Sequence, residues 1–207
     1  MRIFTVILLL ATSAMAADTT TPRDLAPATF CQGQYALCIK APCDPIVSRN
    51  KDGSYSIKEA NCSCDVLTGW SMGPGSCDKR QPSTVSGRTF LVSTYSNFYN
   101  RTNLTLSCPS ANTVWAWCYG AACVIDEKDP SKAVCTGPTK ISAAMTLGGG
   151  CRTQACASIW SAATPANAAF ANDYFFKYAT QNGLTPPPNP PAKDCPATTT
   201  TTTTSAQ

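Results

Sequence analysis

The chain of 207 residues carries 13 cysteines, 16 prolines and no histidine, with a formal net charge of +4. Without histidine, the commonest general base near neutral pH is missing, together with Ser–His and Cys–His nucleophile pairs and histidine-based metal sites. Lysines and arginines are scattered and form no basic stripe, so no nucleic-acid partner is expected.

Residues 1–16 combine Arg2, the apolar run Ile3 to Ala11 and the small-residue site Ala14-Met15-Ala16. This is the three-part pattern of a secretory signal peptide, and the run is well short of the ~20 apolar residues of a membrane span. The expected location is secreted or extracellular, with no membrane span. In that oxidising setting the cysteines read as a disulfide framework. Cys62-Ser63-Cys64 is too tight a pair for the usual zinc-ligand spacing, so no metal site and no cofactor are expected.

After an N-terminal arm, 17–30, two stretches share one cysteine grammar. Cys31, Cys38, Cys43, Cys62, Cys64 and Cys77 are separated by 6, 4, 18, 1 and 12 residues. Cys108, Cys118, Cys123, Cys135, Gly137 and Cys151 are separated by 9, 4, 11, 1 and 13, with Gly137 where a fifth cysteine would stand. Ala36, Cys38, Ala41 and Cys43 fall in register with Ala116, Cys118, Ala121 and Cys123. These spacings imply tandem disulfide modules over 31–80 and 108–151, joined by a spacer over 81–107. Crosslinks closing loops of tens of residues contribute roughly 3 to 4 kcal/mol each where the apolar core is small.

Each module holds an expected β-hairpin between its third and fourth cysteines. The turns are Asn50-Lys51-Asp52-Gly53, followed by Tyr55-Ser56-Ile57, and Asp129-Pro130-Ser131-Lys132, between Val124-Ile125 and Ala133-Val134. The spacer carries Leu91, Tyr95, Phe98 and Thr102 at helical intervals, and a helix is expected there. A helical hairpin is expected over 152–183: a short helix from Gln154 to Ala163, then one capped by Thr164 with Pro165 at its first position. The second carries Phe170, Tyr174 and Tyr178 on one face and stops at Asn182-Gly183. Residues 184–207, with a polyproline run and a threonine tract, form an expected disordered tail suited to glycosylation. Asn100 and Asn103 in the spacer are glycosylation candidates.

The chemistry-bearing residues are few. No catalytic set is assigned. A carboxylate-dependent glycan hydrolase would need two facing acids, and the one acidic cluster, Asp126-Glu127-Lys128-Asp129, falls on an expected turn. The aromatic residues say more. A strand around the second cysteine puts Tyr35, Leu37 and Ile39 on one face of the first module, and Trp115, Trp117 and Tyr119 on the matching face of the second. Flat aromatics with polar edges stack on sugar rings or anchor protein interfaces, which makes Trp115, Trp117 and Tyr119 the candidate binding residues.

The one-residue interval between fourth and fifth cysteines, with Gly69-Trp70 before the sixth, resembles epidermal-growth-factor-like modules. The third gap is longer than in that family, and four residues rather than two separate Cys64 from Gly69. The resemblance implies pairing of first with third, second with fourth and fifth with sixth cysteine. It would leave Cys151 without its partner at Gly137, so Cys151 and the tail cysteine Cys195 become the candidates for an unpaired or intermolecular thiol, and a disulfide-linked dimer through Cys195 is one expected outcome. The sequence thus implies a secreted, non-catalytic binding or effector protein for a glycan or protein surface, with a glycan hydrolase and a structural wall or coat component as alternatives.

Overall fold

The computed structural model describes residues 28–98, 105–147, 158–188 and 192–194. The signal segment, Asn100, Asn103, Cys151, Cys156, Cys195 and the threonine tract lie outside these residues.

The described chain is mostly β-sheet. β1 (Ala28–Leu37) pairs antiparallel with the C-terminal half of the 20-residue β3 (Tyr55–Pro74), while β2 (Cys43–Arg49) pairs with its N-terminal half. The β2–β3 turn forms as its residues demand: Gly53 takes φ of +85°, and the Asp52 carboxylate accepts from the Ser54 amide at 3.0 Å. β4 (Ser83–Val85) and β5 (Arg88–Val92) make a second hairpin. Then come β6 (Thr105–Cys108), β7 (Val114–Ala116), β8 (Ala122–Ile125), β9 (Lys132–Ile141) and β10 (Ala144–Leu147). β9 pairs with β3, β8 and β7, which joins strands from both cysteine-rich stretches into one eight-stranded sheet of order β1-β3-β9-β8-β5-β4. A bridge from Ala36 to Ser93 returns the chain after β5 to β1 and curls this sheet on itself.

The expected spacer helix does not form where the chain is described. β4 and β5 occupy it, and Leu91 and Tyr95 are buried. The amide of Thr94 donates to Ala36, and Met72 and Tyr95 exchange both backbone bonds, so tertiary partners hold this stretch extended.

Where a hairpin of two helices was expected at the C-terminus, the described residues hold one, α1 (Pro165–Gln181). Its start follows the predicted chemistry, with the Thr164 hydroxyl accepting from the Asn167 amide and Pro165 at the first position. Residues 158–163, expected to end the preceding helix, are extended instead. They thread between the segment after Cys38, β7 and β10: Ser161 donates to the Ala41 carbonyl, Ala116 to Trp160, and Met145 and Ala163 exchange bonds. Ala192–Asp194, within the expected disordered tail, form β11 and pair parallel with β6.

The disulfides are nested. Cys31 pairs with Cys77, Cys38 with Cys64 and Cys43 with Cys62, which corrects the growth-factor-like order at all three bonds. The antiparallel β2–β3 register puts Cys43 directly opposite Cys62, so first-to-third pairing has no geometric support. Cys123 pairs with Cys135 across β8 and β9, and Cys108 is also disulfide-bonded. Cys43, Cys62, Cys135 and Cys123 lie on one rung of four neighbouring strands. The result is a core built from sulphur and small side chains, with Ala36, Ala60, Ala116, Ala133 and Leu91 around the disulfides. A second cluster centres on Phe175 of α1, whose ring meets Phe30, Tyr95 and Phe98 edge-on at 5.3 to 5.6 Å.

Candidate functional site

A cavity of about 330 Å³ lies beneath the N-terminal half of α1. Among the described residues six separate pieces of chain build it, two of them Thr105 of β6 and Met145-Thr146 of β10. Ile39 follows β1; Thr94 and Tyr95 follow β5; Trp117 and Tyr119 follow β7; and α1 contributes Asn167, Ala168 and Asn172. The Thr164 cap fixes where α1 begins and therefore where Asn167 points. The Tyr95 hydroxyl donates to the Asn172 side-chain oxygen Oδ1 and ties the sheet to the helix at the cavity wall. Most of the lining is apolar, yet three polar atoms have neither water contact nor a hydrogen-bond partner: Thr94 Oγ1, the Tyr119 hydroxyl and Asn167 Oδ1. Buried polar atoms are nearly always paired, so three orphans among the residues that line one cavity leave hydrogen-bonding capacity unmet there.

The three predicted aromatic residues fall in different settings. Trp115 and Trp117 meet edge-on at 6.0 Å, and Trp117 and Tyr119 tilt together at 5.8 Å, so they do share one side of the chain. The strand ends at Ala116, however. Trp115 is only 3% exposed, packs on Ala144 and Ala162 and donates its indole N–H to Ser142. Trp117 and Tyr119 are half-buried and face the cavity. Burial pushes the Tyr119 hydroxyl up to about 12, partly offset by the Arg80 guanidinium, so it remains a donor across the physiological range. Sequence reasoning did not find Thr94, Asn167 or Arg80, because their significance comes from convergence of distant segments.

The acidic cluster is turn chemistry. Asp126 accepts from the Lys128 amide at 2.8 Å, and Asp129 from the Ser131 amide and hydroxyl at 3.1 and 2.6 Å. Among the described residues, Asp173 is the single carboxylate lining the cavity. Cys38, Cys123 and Cys135 place sulphurs within 4.8 Å of one another, but all three are held in disulfides and offer no thiolate to a metal.

Among the described residues the free thiol is Cys118; the candidates Cys151 and Cys195 lie outside them. Its sulphur sits 3.3 Å from that of Cys62, and the Cys38 sulphur sits 3.2 Å from that of Cys135. Gly137 faces it: a β-carbon there would lie 2.8 Å from the Cys118 sulphur and 2.5 Å from the Trp117 carbonyl oxygen. A separate apolar surface occurs on the β2–β3 hairpin, where Val47, Tyr55 and Ile57 are exposed. No helix among the described residues is long and apolar enough to cross a membrane. Comparison with protein-family models, with curated proteins and with solved structures finds no match to this chain.

Proposed function

We propose that the chain is an exported, non-catalytic binding protein that encloses a small, mainly apolar ligand beneath α1. The observation that carries this reading is the cavity itself, whose volume falls at the low end of the ~300 to 1,000 Å³ range of small-molecule sites. Its combination of Trp117 and Tyr119 rings with the three orphaned polar atoms is the lining such a site needs. The disulfides and the signal-like segment support export. Among the described residues a single carboxylate lines the cavity, where a two-acid hydrolase would need a second.

The same reading takes the two cysteine-rich stretches as copies of one module. In the first, sixth pairs with first, fifth with second and fourth with third cysteine. In the second, Cys123 and Cys135 repeat the innermost bond, and Cys118 faces the glycine that replaced its partner. Losing that crosslink sets a chain segment free to carry Trp117 and Tyr119 toward α1, whereas the first copy keeps it tied.

The test is a titration with the neutral fluorescent probe N-phenyl-1-naphthylamine. We expect saturable one-to-one binding to the intact protein, and at least about tenfold weaker binding to Ala168→Phe, where a ring replaces a methyl on the cavity wall. Non-saturable binding, or equal binding by a folded Ala168→Phe variant, contradicts the proposal.

A further inference from the structure

Arg80 ends a short 3-10 turn, Asp78–Arg80, and is 6% exposed. Its Nε, Nη1 and Nη2 atoms are buried and none has a hydrogen-bond partner. A buried guanidinium is normally matched by a carboxylate, because an unpaired charge away from water is costly. Here the ion pairs found among the described residues are Lys40–Asp65 and Lys132–Asp65, and neither reaches Arg80. Burial lowers its pKa, and the group acting in the opposite direction is Tyr119.

The position of this charge is specific. A β-carbon on Gly73 would lie 2.3 Å from Arg80 Nη1 and 2.4 Å from Thr94 Cγ2, so the glycine is what allows both side chains to pack there. Arg80 and Thr94 share a small void of about 10 Å³, and Thr94 also lines the large cavity. Thr94 is therefore the partition between the uncompensated charge and the ligand space. Thr94 and Tyr119 are two of the three cavity-lining residues whose polar atoms lack partners, and both hydroxyls can donate.

We propose that the cavity takes a small monocarboxylic acid with an apolar body, its carboxylate held at the Thr94–Tyr119 end by two hydroxyl donors and by the charge of Arg80 behind them. This rests on the reading of the cavity as a ligand site and names the ligand class. One positive charge and two donors match a monoanion. The apolar body lies along Ile39, Trp117, Met145 and Ala168. Asn167 Oδ1, also without a partner, is an acceptor on the same cavity for a ligand hydroxyl.

The test is displacement of N-phenyl-1-naphthylamine at neutral pH by decanoate, decan-1-ol and decylamine, which share one chain and differ in head charge. Decanoate is expected to bind at least about tenfold tighter than decan-1-ol, the scale of one charge-assisted hydrogen bond, with decylamine weakest. Arg80→Met should bring decanoate down toward the alcohol while leaving alcohol binding unchanged, and Tyr119→Phe should weaken decanoate more than it weakens the alcohol. Arg80→Met should also raise the melting temperature of the free protein, since it removes a buried charge without a partner. Should Arg80→Met not fold, Tyr119→Phe and the wild-type selectivity carry the test. Equal affinity for acid and alcohol overturns the acid assignment and leaves the cavity reading standing. Failure of the probe and all three compounds to bind overturns both.

Discussion

Cys118 should be an inert thiol at neutral pH and a disulfide-exchanging one in alkali. Burial raises its pKa from 9.0 to about 11, against a smaller opposing hydrogen bond with Ser161. The folded chain holds the thiol proton more tightly than the unfolded chain, so this stability is fully present below pH 9 and is lost as pH rises toward 11. Two pKa units at about 1.4 kcal/mol each amount to about 3 kcal/mol. Once ionised, the Cys118 sulphur is 3.3 Å from that of Cys62. Attack forms a Cys62–Cys118 bond, breaks Cys43–Cys62 and expels Cys43 as the thiolate, with no external oxidant. The assay is alkylation with iodoacetamide followed by non-reduced peptide mapping. At pH 7 the native protein should leave Cys118 unlabelled, and denaturant should expose it. When iodoacetamide is present during incubation near pH 11 and the reaction is then quenched with acid, label should appear at the expelled Cys43. Rapid labelling of Cys118 in the native protein at pH 7 would refute the burial argument, and label that stays on Cys118 after alkaline incubation would refute the exchange.

Gly137→Ala should destabilise by about 1 to 3 kcal/mol, the cost of overpacking, because its β-carbon would press on the Trp117 carbonyl; denaturant titration reads it. Phe175→Ala should cost about 3 to 5 kcal/mol, since its ring is fully buried among three edge-on aromatic partners. Burial pushes the Asp65 carboxyl upward, but hydrogen bonds from Lys132 and Lys40 overcome this and hold it below its usual value. That stability is present above the usual carboxylate range and lost as pH falls through the depressed value, so Asp65→Asn should flatten the acid limb of a stability–pH curve. Peptide mapping should further join Cys108 to Cys151, the counterparts of Cys31 and Cys77.

Local chemistry was legible in the sequence and long-range pairing was not. Asn50 to Gly53, Asp129 to Lys132 and Thr164-Pro165 carry turn and cap signals that act within four residues, and each forms where its residues predict. Gln154 to Ala163 has the alanine content of a helix, yet its described residues 158–163 gain more backbone partners by lying between Ala41, Ala116 and Met145. The periodicity of Leu91, Tyr95 and Phe98 suits a helix equally misleadingly, because Leu91 packs in the disulfide core with Ala36 while Tyr95 and Phe98 pack with Met72 and Phe175. The growth-factor-like resemblance set Cys151 against Gly137, whereas in the fold the cysteine that Gly137 approaches is Cys118, a closeness that spacing alone does not show. Trp117 and Tyr119 drew attention as enlarged side chains. Thr94, Arg80 and Asn167 carry no local signal, since what distinguishes them is a missing partner in a folded interior.

The most direct test of the cavity as a ligand site is a ¹⁵N–¹H NMR titration of the disulfide-intact protein with decanoate. The account predicts saturating one-to-one shifts at the Trp117 indole N–H and at the amides of Thr94, Tyr119 and Asn167. The indoles of Trp70, stacked on Phe30, and Trp160, bonded to Ser158, should stay in place. Shifts confined to Val47, Tyr55 and Ile57 on the exposed hairpin, with the Trp117 indole unmoved, would contradict it.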